Sequence, residues 1–171
     1  MSDELASYLN DHLAGSIVAL QTIEHLISAT ADKPELTNFL RSLGAEIESD
    51  QKVLKEIIVG MGHNESGAKK AASWGAEKIS WLKFEISGTS GLGLLEALET
   101  LVLGITGKRG LWQVLEPLRS AYPALEAFDF GRLMQRASDQ CESVNAHRIS
   151  VGRKIFTPAP RPAAPDLIGS S

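Results

Sequence analysis

Apolar residues recur at every third or fourth position over four runs that are each longer than 20 residues, and this periodicity limits the possible folds. The first run extends from about Asp3 to Ala29, and its leucines and isoleucines share one side of a helical wheel. The other three runs extend from the ADKP break to about Val59, from Leu94 to about Leu118, and from about Asp129 to Phe156. The strict alternation that is typical of half-buried strands is absent. The sequence therefore predicts an all-α bundle without a sheet.

Short stretches rich in glycine, proline or acidic residues separate these runs. Asp32 and Glu35 have the spacing of a capping box, and Pro34 fits the first turn of the second helix. The second helix is predicted to end at Gly60 and Gly62, where glycine permits the backbone to leave the helix. The next break is expected at the glycines of the SGTSGLG stretch, namely Gly88, Gly91 and Gly93.

A further helical segment is predicted over about residues 66–87, where lysines alternate with large apolar side chains. Trp74, Trp81 and Phe84 are the aromatic members of this segment. Contact with nucleic acid or a membrane surface is one interpretation of such a pattern. The favoured interpretation is that the aromatic side chains attach a peripheral helix to the bundle. Formation of a homo-oligomer through this segment is a separate prediction.

Composition narrows the functional classes. The chain of 171 residues has a formal net charge of −4, so it lacks the basic excess that a general nucleic-acid binder needs. Cys141 is the one cysteine, which excludes an internal disulfide and any multi-cysteine metal site. No signal peptide or membrane-spanning run is visible, so a cytoplasmic location is expected. We expect residues 1–156 to form the bundle and the proline-rich residues 157–171 to be a disordered tail.

Four long helices joined by two short turns and one long connection resemble the ferritin-like superfamily over about residues 3–155. The chain also resembles the small stress-associated bacterial members of this superfamily. The resemblance implies a helical hairpin, a crossover helix and a second hairpin. It also implies a di-metal centre, in which two helices each supply a glutamate and two others each supply Glu-x-x-His.

The residues at these positions depart from the family pattern. Gln51 follows Glu48 where the histidine is expected, and Asn145 follows Glu142 in the same way. The di-metal motif is not intact, which predicts a non-catalytic ferritin-like protein without a cofactor. The alternative is an iron- or manganese-binding protein or oxidase with a rearranged site formed by His12, Glu24 and Asp50.

Several polar residues are predicted to face the interior of the bundle. Helical-wheel positions and the crossover topology place His12, Asp50, Lys108 and Gln140 at about one level. The same helical-wheel positions and crossover topology pair Glu24 with Arg148 about three turns away. A simple up-down bundle would instead pair Glu24 with Lys108. The interior residues are interpreted as a satisfied polar layer, and the alternative is a site for a small anionic or polar ligand near Lys108 and His12.

Three glycines, Gly104, Gly107 and Gly110, repeat at three-residue spacing in the third long run. The Gly-Lys pair at Gly107 superficially suggests a phosphate-binding loop. Arg109 stands where that motif needs serine or threonine, and no strand precedes it, so the motif is rejected. The glycines are predicted to let a neighbouring helix approach closely, and space for a ligand is the alternative.

Overall fold

The computed structural model describes residues 2–62 and 91–158. Four long α-helices make up most of these two ranges: α1 (Asp3–Ala29), α2 (Pro34–Gly60), α3 (Gly91–Leu115) and α4 (Phe130–Phe156). Two short 3₁₀ turns, Glu116–Leu118 and Pro123–Leu125, lie between α3 and α4. No strand occurs in the described ranges. The predicted all-α fold with four long helices is confirmed.

Local side-chain chemistry explains the starts of α1 and α4. The Ser2 side chain accepts a hydrogen bond from the Leu5 amide, and the Asp129 side chain accepts one from the Arg132 amide. The predicted Asp32–Glu35 capping box is wrong. Because α2 begins at Pro34, its N-cap is Lys33, which makes no side-chain capping bond.

Two clusters of buried apolar side chains show how the helices run. One cluster joins the first half of α1, the second halves of α2 and α3, and the first half of α4, as shown by Leu13, Ile57, Trp112 and Phe130. The other cluster joins the opposite halves, as shown by Ile23, Leu40, Leu98 and Val144. Helices α2 and α3 therefore run parallel to each other, and both run antiparallel to α1 and α4.

The chain thus forms two antiparallel hairpins, α1–α2 and α3–α4. Helix α3 also packs beside α1, and α2 packs beside α4. Since α2 ends at one end of the bundle and α3 begins at the other, the parallel orientation agrees with the one predicted for a crossover. The predicted connecting helix over residues 66–87 lies outside the described residues.

Two predicted boundaries need correction or remain open. Gly91 and Gly93 do not break the chain, because α3 begins at Gly91, where the absence of a side chain permits close packing against Ile155 of α4. Helix α4 ends at Phe156, as predicted. Of the predicted tail, only Thr157 and Pro158 are described, and both are exposed.

Within the described ranges, no helix combines the length and the apolar character that crossing a membrane requires.

Candidate functional site

Asp50, on α2, is the centre of a buried ion cluster that joins three helices. Its side chain is 1% exposed, Lys108 of α3 donates to Oδ2, and Arg136 of α4 donates to Oδ1. The Gln140 amide nitrogen lies 3.4 Å from Oδ2, and the Gln140 amide oxygen accepts from Lys108. We call Asp50, Lys108, Arg136 and Gln140 the ion cluster. Both carboxylate oxygens have charged donors, as the burial of an anion requires.

The structure brings together three of the predicted polar residues in this cluster and adds Arg136, which sequence reasoning missed. Arg136 lies one turn before Gln140 on α4, and its side chain is 30% exposed. Glu46, one turn before Asp50 on α2, was also missed, and its Oε2 accepts from Gln140 over 3.0 Å. The only sequence signal for either residue is this four-residue spacing, which places both on the helix side that faces the cluster.

Asp50 is the single buried carboxylate of the cluster, and two cations donate to it. Glu46 is exposed and accepts from Gln140. Burial lowers the pKa of Lys108 below its usual value, and the charge of Asp50 opposes that shift. With Glu46 included, two acidic and two basic side chains lie together, so their formal charges balance.

A cavity of about 440 Å³ lies beside the cluster, between α1, α2 and α3, and is partly open to solvent. We call it the central cavity. His12, Asp50 and Lys108 line it, as does Tyr8, whose ring meets the His12 ring edge-on at 4.7 Å between centroids. Burial lowers the pKa of His12, and the nearby Asp11 opposes this shift. This burial favours the uncharged form of the His12 imidazole. Gln140 belongs to the ion cluster but does not line the cavity.

Glycines keep part of the central cavity open. Gly15 of α1 and Gly104 and Gly107 of α3 line it, and a Cβ added to any of the three would have no described atom within 4 Å. The prediction that Gly104 and Gly107 let another helix approach closely is wrong for the described part of the chain. Their lack of a side chain leaves space instead, which was the alternative interpretation.

Several hydrogen-bond donors on the cavity wall have no acceptor among the described residues. The Lys108 ammonium has three N–H groups, of which Asp50 and Gln140 take two. The indole N–H of Trp112 has no partner, although the residue is only 1% exposed. Buried donors are normally paired with an acceptor, and these two donors have none among the described residues.

The predicted pair of Glu24 with Arg148 is wrong. Glu24 is exposed on α1, and Arg148 donates to Glu99 of α3 over 2.9 Å and to Asn145 over 3.0 Å. The reason lies in the order of the helices. Helix α4 packs mainly against α3, whereas α1 packs beside α2 and α3, so a side chain on α1 is not adjacent to Arg148.

The rearranged metal site is not assembled as predicted. His12 and Asp50 both line the central cavity, but Glu24 lies on an exposed surface, and both oxygens of Asp50 accept from cations. Across residues 2–62 and 91–158, no three histidine, cysteine or acidic side chains form a group that could hold a metal ion.

Comparison of the chain with family models, with curated proteins and with solved structures finds no match. The ion cluster and the central cavity are therefore the features of the chain that bear on its function.

Proposed function

We propose that this chain is a non-catalytic ferritin-like bundle without a di-iron centre, and that its central cavity binds a small molecule. The observation that carries the proposal is the open cavity of about 440 Å³ beside the ion cluster. Ligand sites in proteins are typically concave, mostly apolar spaces of about this volume with a few polar groups.

Helix order supports the ferritin-like part of the proposal. Two antiparallel hairpins with α2 parallel to α3 match the order of a hairpin, a crossover and a hairpin. Where a di-metal protein would offer free carboxylates, this bundle has Asp50 neutralised by Lys108 and Arg136. A metal ion at Asp50 would be repelled by both cations, and neither offers it a lone pair.

The same contacts support a binding role over a catalytic one. A general base needs a lone pair that can reach a substrate proton. The oxygens of Asp50 already accept from Lys108 and Arg136, and Lys108 is held by Asp50 and Gln140. Tyr8, Asp11 and His12 are the other titratable groups on the wall, and no described carboxylate hydrogen-bonds to the His12 ring to orient it. We infer that the wall binds rather than reacts.

Two measurements test this function. Metal content is determined in protein purified from cells supplied with iron and manganese, and binding of the neutral dye Nile red is followed by fluorescence. We expect well below one metal ion per chain and saturable binding of one dye. Gly107→Leu should abolish binding, because the new side chain enters the cavity, whereas Gly110→Leu should retain it, since Gly110 does not line the cavity.

Stoichiometric iron or manganese that is lost in Asp50→Asn would favour the metal-binding alternative. Dye binding that is equal in the two leucine variants would contradict the cavity as the site. Homo-oligomer formation stays a prediction, and sedimentation velocity on the full chain tests it.

A further inference from the structure

We propose that the molecule bound in the central cavity is an amphipathic carboxylate, in which an extended apolar body carries one anionic group. This inference rests on the proposed binding function and adds the chemical class of the ligand. Two features of the wall support it: an apolar surface along the cavity and, at one place on it, the Lys108 ammonium, which has an N–H without a described acceptor.

The apolar body is accommodated by the side chains of Ile47, Leu54, Ile105, Leu111 and Trp112. All five are buried among other apolar residues, so this part of the wall offers no acceptor or charge to a ligand. Gly104 and Gly107 leave open space beside them. A hydrocarbon segment gains most from such a surface, because it exchanges contact with water for contact with apolar atoms.

The anionic group is matched by Lys108. Two of its three N–H groups bind Asp50 and Gln140, and the third has no acceptor among the described residues. A ligand carboxylate would accept the third N–H in a charge-assisted hydrogen bond.

The other polar groups on the wall favour an acceptor over a donor. Neutral His12 has one ring N–H, the Tyr8 hydroxyl can donate, and the Trp112 indole N–H has no described partner. Asp50 is the buried acid there, and its oxygens are already occupied. Asp11 is exposed on the lining, so its charge is solvated and repels an anion only weakly. An amine would meet Lys108 without finding a free buried carboxylate.

The test compares three ligands of one chain length on the full-length protein at pH 7.5 by isothermal titration calorimetry. We expect decanoate to bind at least about 10-fold more tightly than decan-1-ol, and decylamine to bind most weakly, because only the carboxylate matches Lys108. Lys108→Met should bring the affinities for decanoate and decanol to within about twofold of each other. Lys52→Met, at an exposed position of α2, is the matched control and should preserve the preference.

A direct measurement covers the case in which Lys108→Met does not fold. Carboxyl-¹³C decanoate bound to the wild-type protein is titrated by NMR. We expect its carboxyl pKa to lie below that of free decanoate, because a neighbouring ammonium stabilises the anion. A bound pKa equal to or above the free value overturns the inference.

The outcomes separate this inference from the proposed function. Equal affinity for decanoate and decanol, with both lost in Gly107→Leu, would overturn the carboxylate class and leave small-molecule binding intact. Failure of Nile red and of all three alkyl ligands to bind would overturn both.

Discussion

The environment of Asp50 shows how a single residue is stabilised inside the bundle. Burying a carboxylate costs several kcal/mol unless the protein returns comparable interactions. Here Lys108, Arg136 and Gln140 all donate to it from two other helices. The residue therefore links α2 to α3 and α4, and removal of its charge should leave two cations without their common partner.

We predict that Asp50→Asn lowers the free energy of unfolding by about 3–5 kcal/mol, the usual cost of breaking a buried ion pair on one side. Urea denaturation followed by circular dichroism measures it. Glu48→Gln on the same helix is the matched control, because Glu48 forms an exposed pair with Lys52 at 3.5 Å, and its removal should cost less than about 1 kcal/mol. Similar losses in the two variants would contradict the central role of Asp50.

Two histidines predict how stability depends on pH. Burial lowers the pKa of His12 and of His147, whose ring stacks on Phe39 at 4.0 Å between centroids. The unfolded chain, with histidine near the ordinary pKa of 6.5, then binds protons that the folded chain does not. The free energy of unfolding should therefore decrease as the pH falls from above 6.5 toward the lowered pKa values of the two histidines.

Denaturation midpoints in urea between pH 7.5 and pH 5 measure this dependence. Replacing both histidines, as His12→Gln with His147→Gln, should flatten the decline, because neither side chain can then take up a proton. An identical decline in the wild type and the double variant would assign the pH dependence to other groups.

At the scale of the helix, α3 shows that glycines in one element have different roles. Gly91 lies at the start of α3, and a Cβ there would overlap the methyl group Cγ2 of Ile155 on α4. Gly110, near the other end, has no described atom within 4 Å of an added Cβ. The local cost of glycine in a helix is similar at both places, so packing decides the effect of a substitution.

We predict that Gly91→Ala lowers the free energy of unfolding by about 1–3 kcal/mol, because Ile155 is β-branched and has few rotamers with which to avoid the overlap. Gly110→Ala, the control, should raise it by about 0.5–1 kcal/mol through the better helix propensity of alanine. Both are measured by urea denaturation. A gain in stability for Gly91→Ala would show that α3 and α4 separate easily at this end.

At the scale of the whole molecule, the described part of the core is formed by the helices and the loop before α4. Helix α4 ends at Phe156, and the described buried members of the two apolar clusters lie in those elements. We predict that deleting residues 159–171 changes the free energy of unfolding by less than about 0.5 kcal/mol. Thermal and urea denaturation of the truncated chain measure it, and a loss of several kcal/mol would show that the tail packs on the bundle.

Among the described residues, the sequence alone determined which segments are helical and several of their ends. Helix α1 spans Asp3–Ala29 and α4 ends at Phe156, both as predicted, because helix period and end signals are local properties of the chain. It also predicted that Asp50 meets Lys108, since helix period and chain direction together place both side chains at one level in the interior. The predicted N-cap Asp32 is wrong by one residue, because local signals do not define a helix end that closely.

Only the tertiary structure decided which helices are neighbours and where space remains. Arg148 pairs with Glu99 because α4 packs mainly beside α3, and periodicity contains no information about that lateral order. Arg136 lies one turn before Gln140 with its side chain 30% exposed, and it joins the ion cluster because that long side chain reaches Asp50 from the edge of the buried face. Atoms of three helices line the central cavity, and these helices leave space between them at Gly104 and Gly107. Such a space is a property of the packed bundle and of no segment by itself.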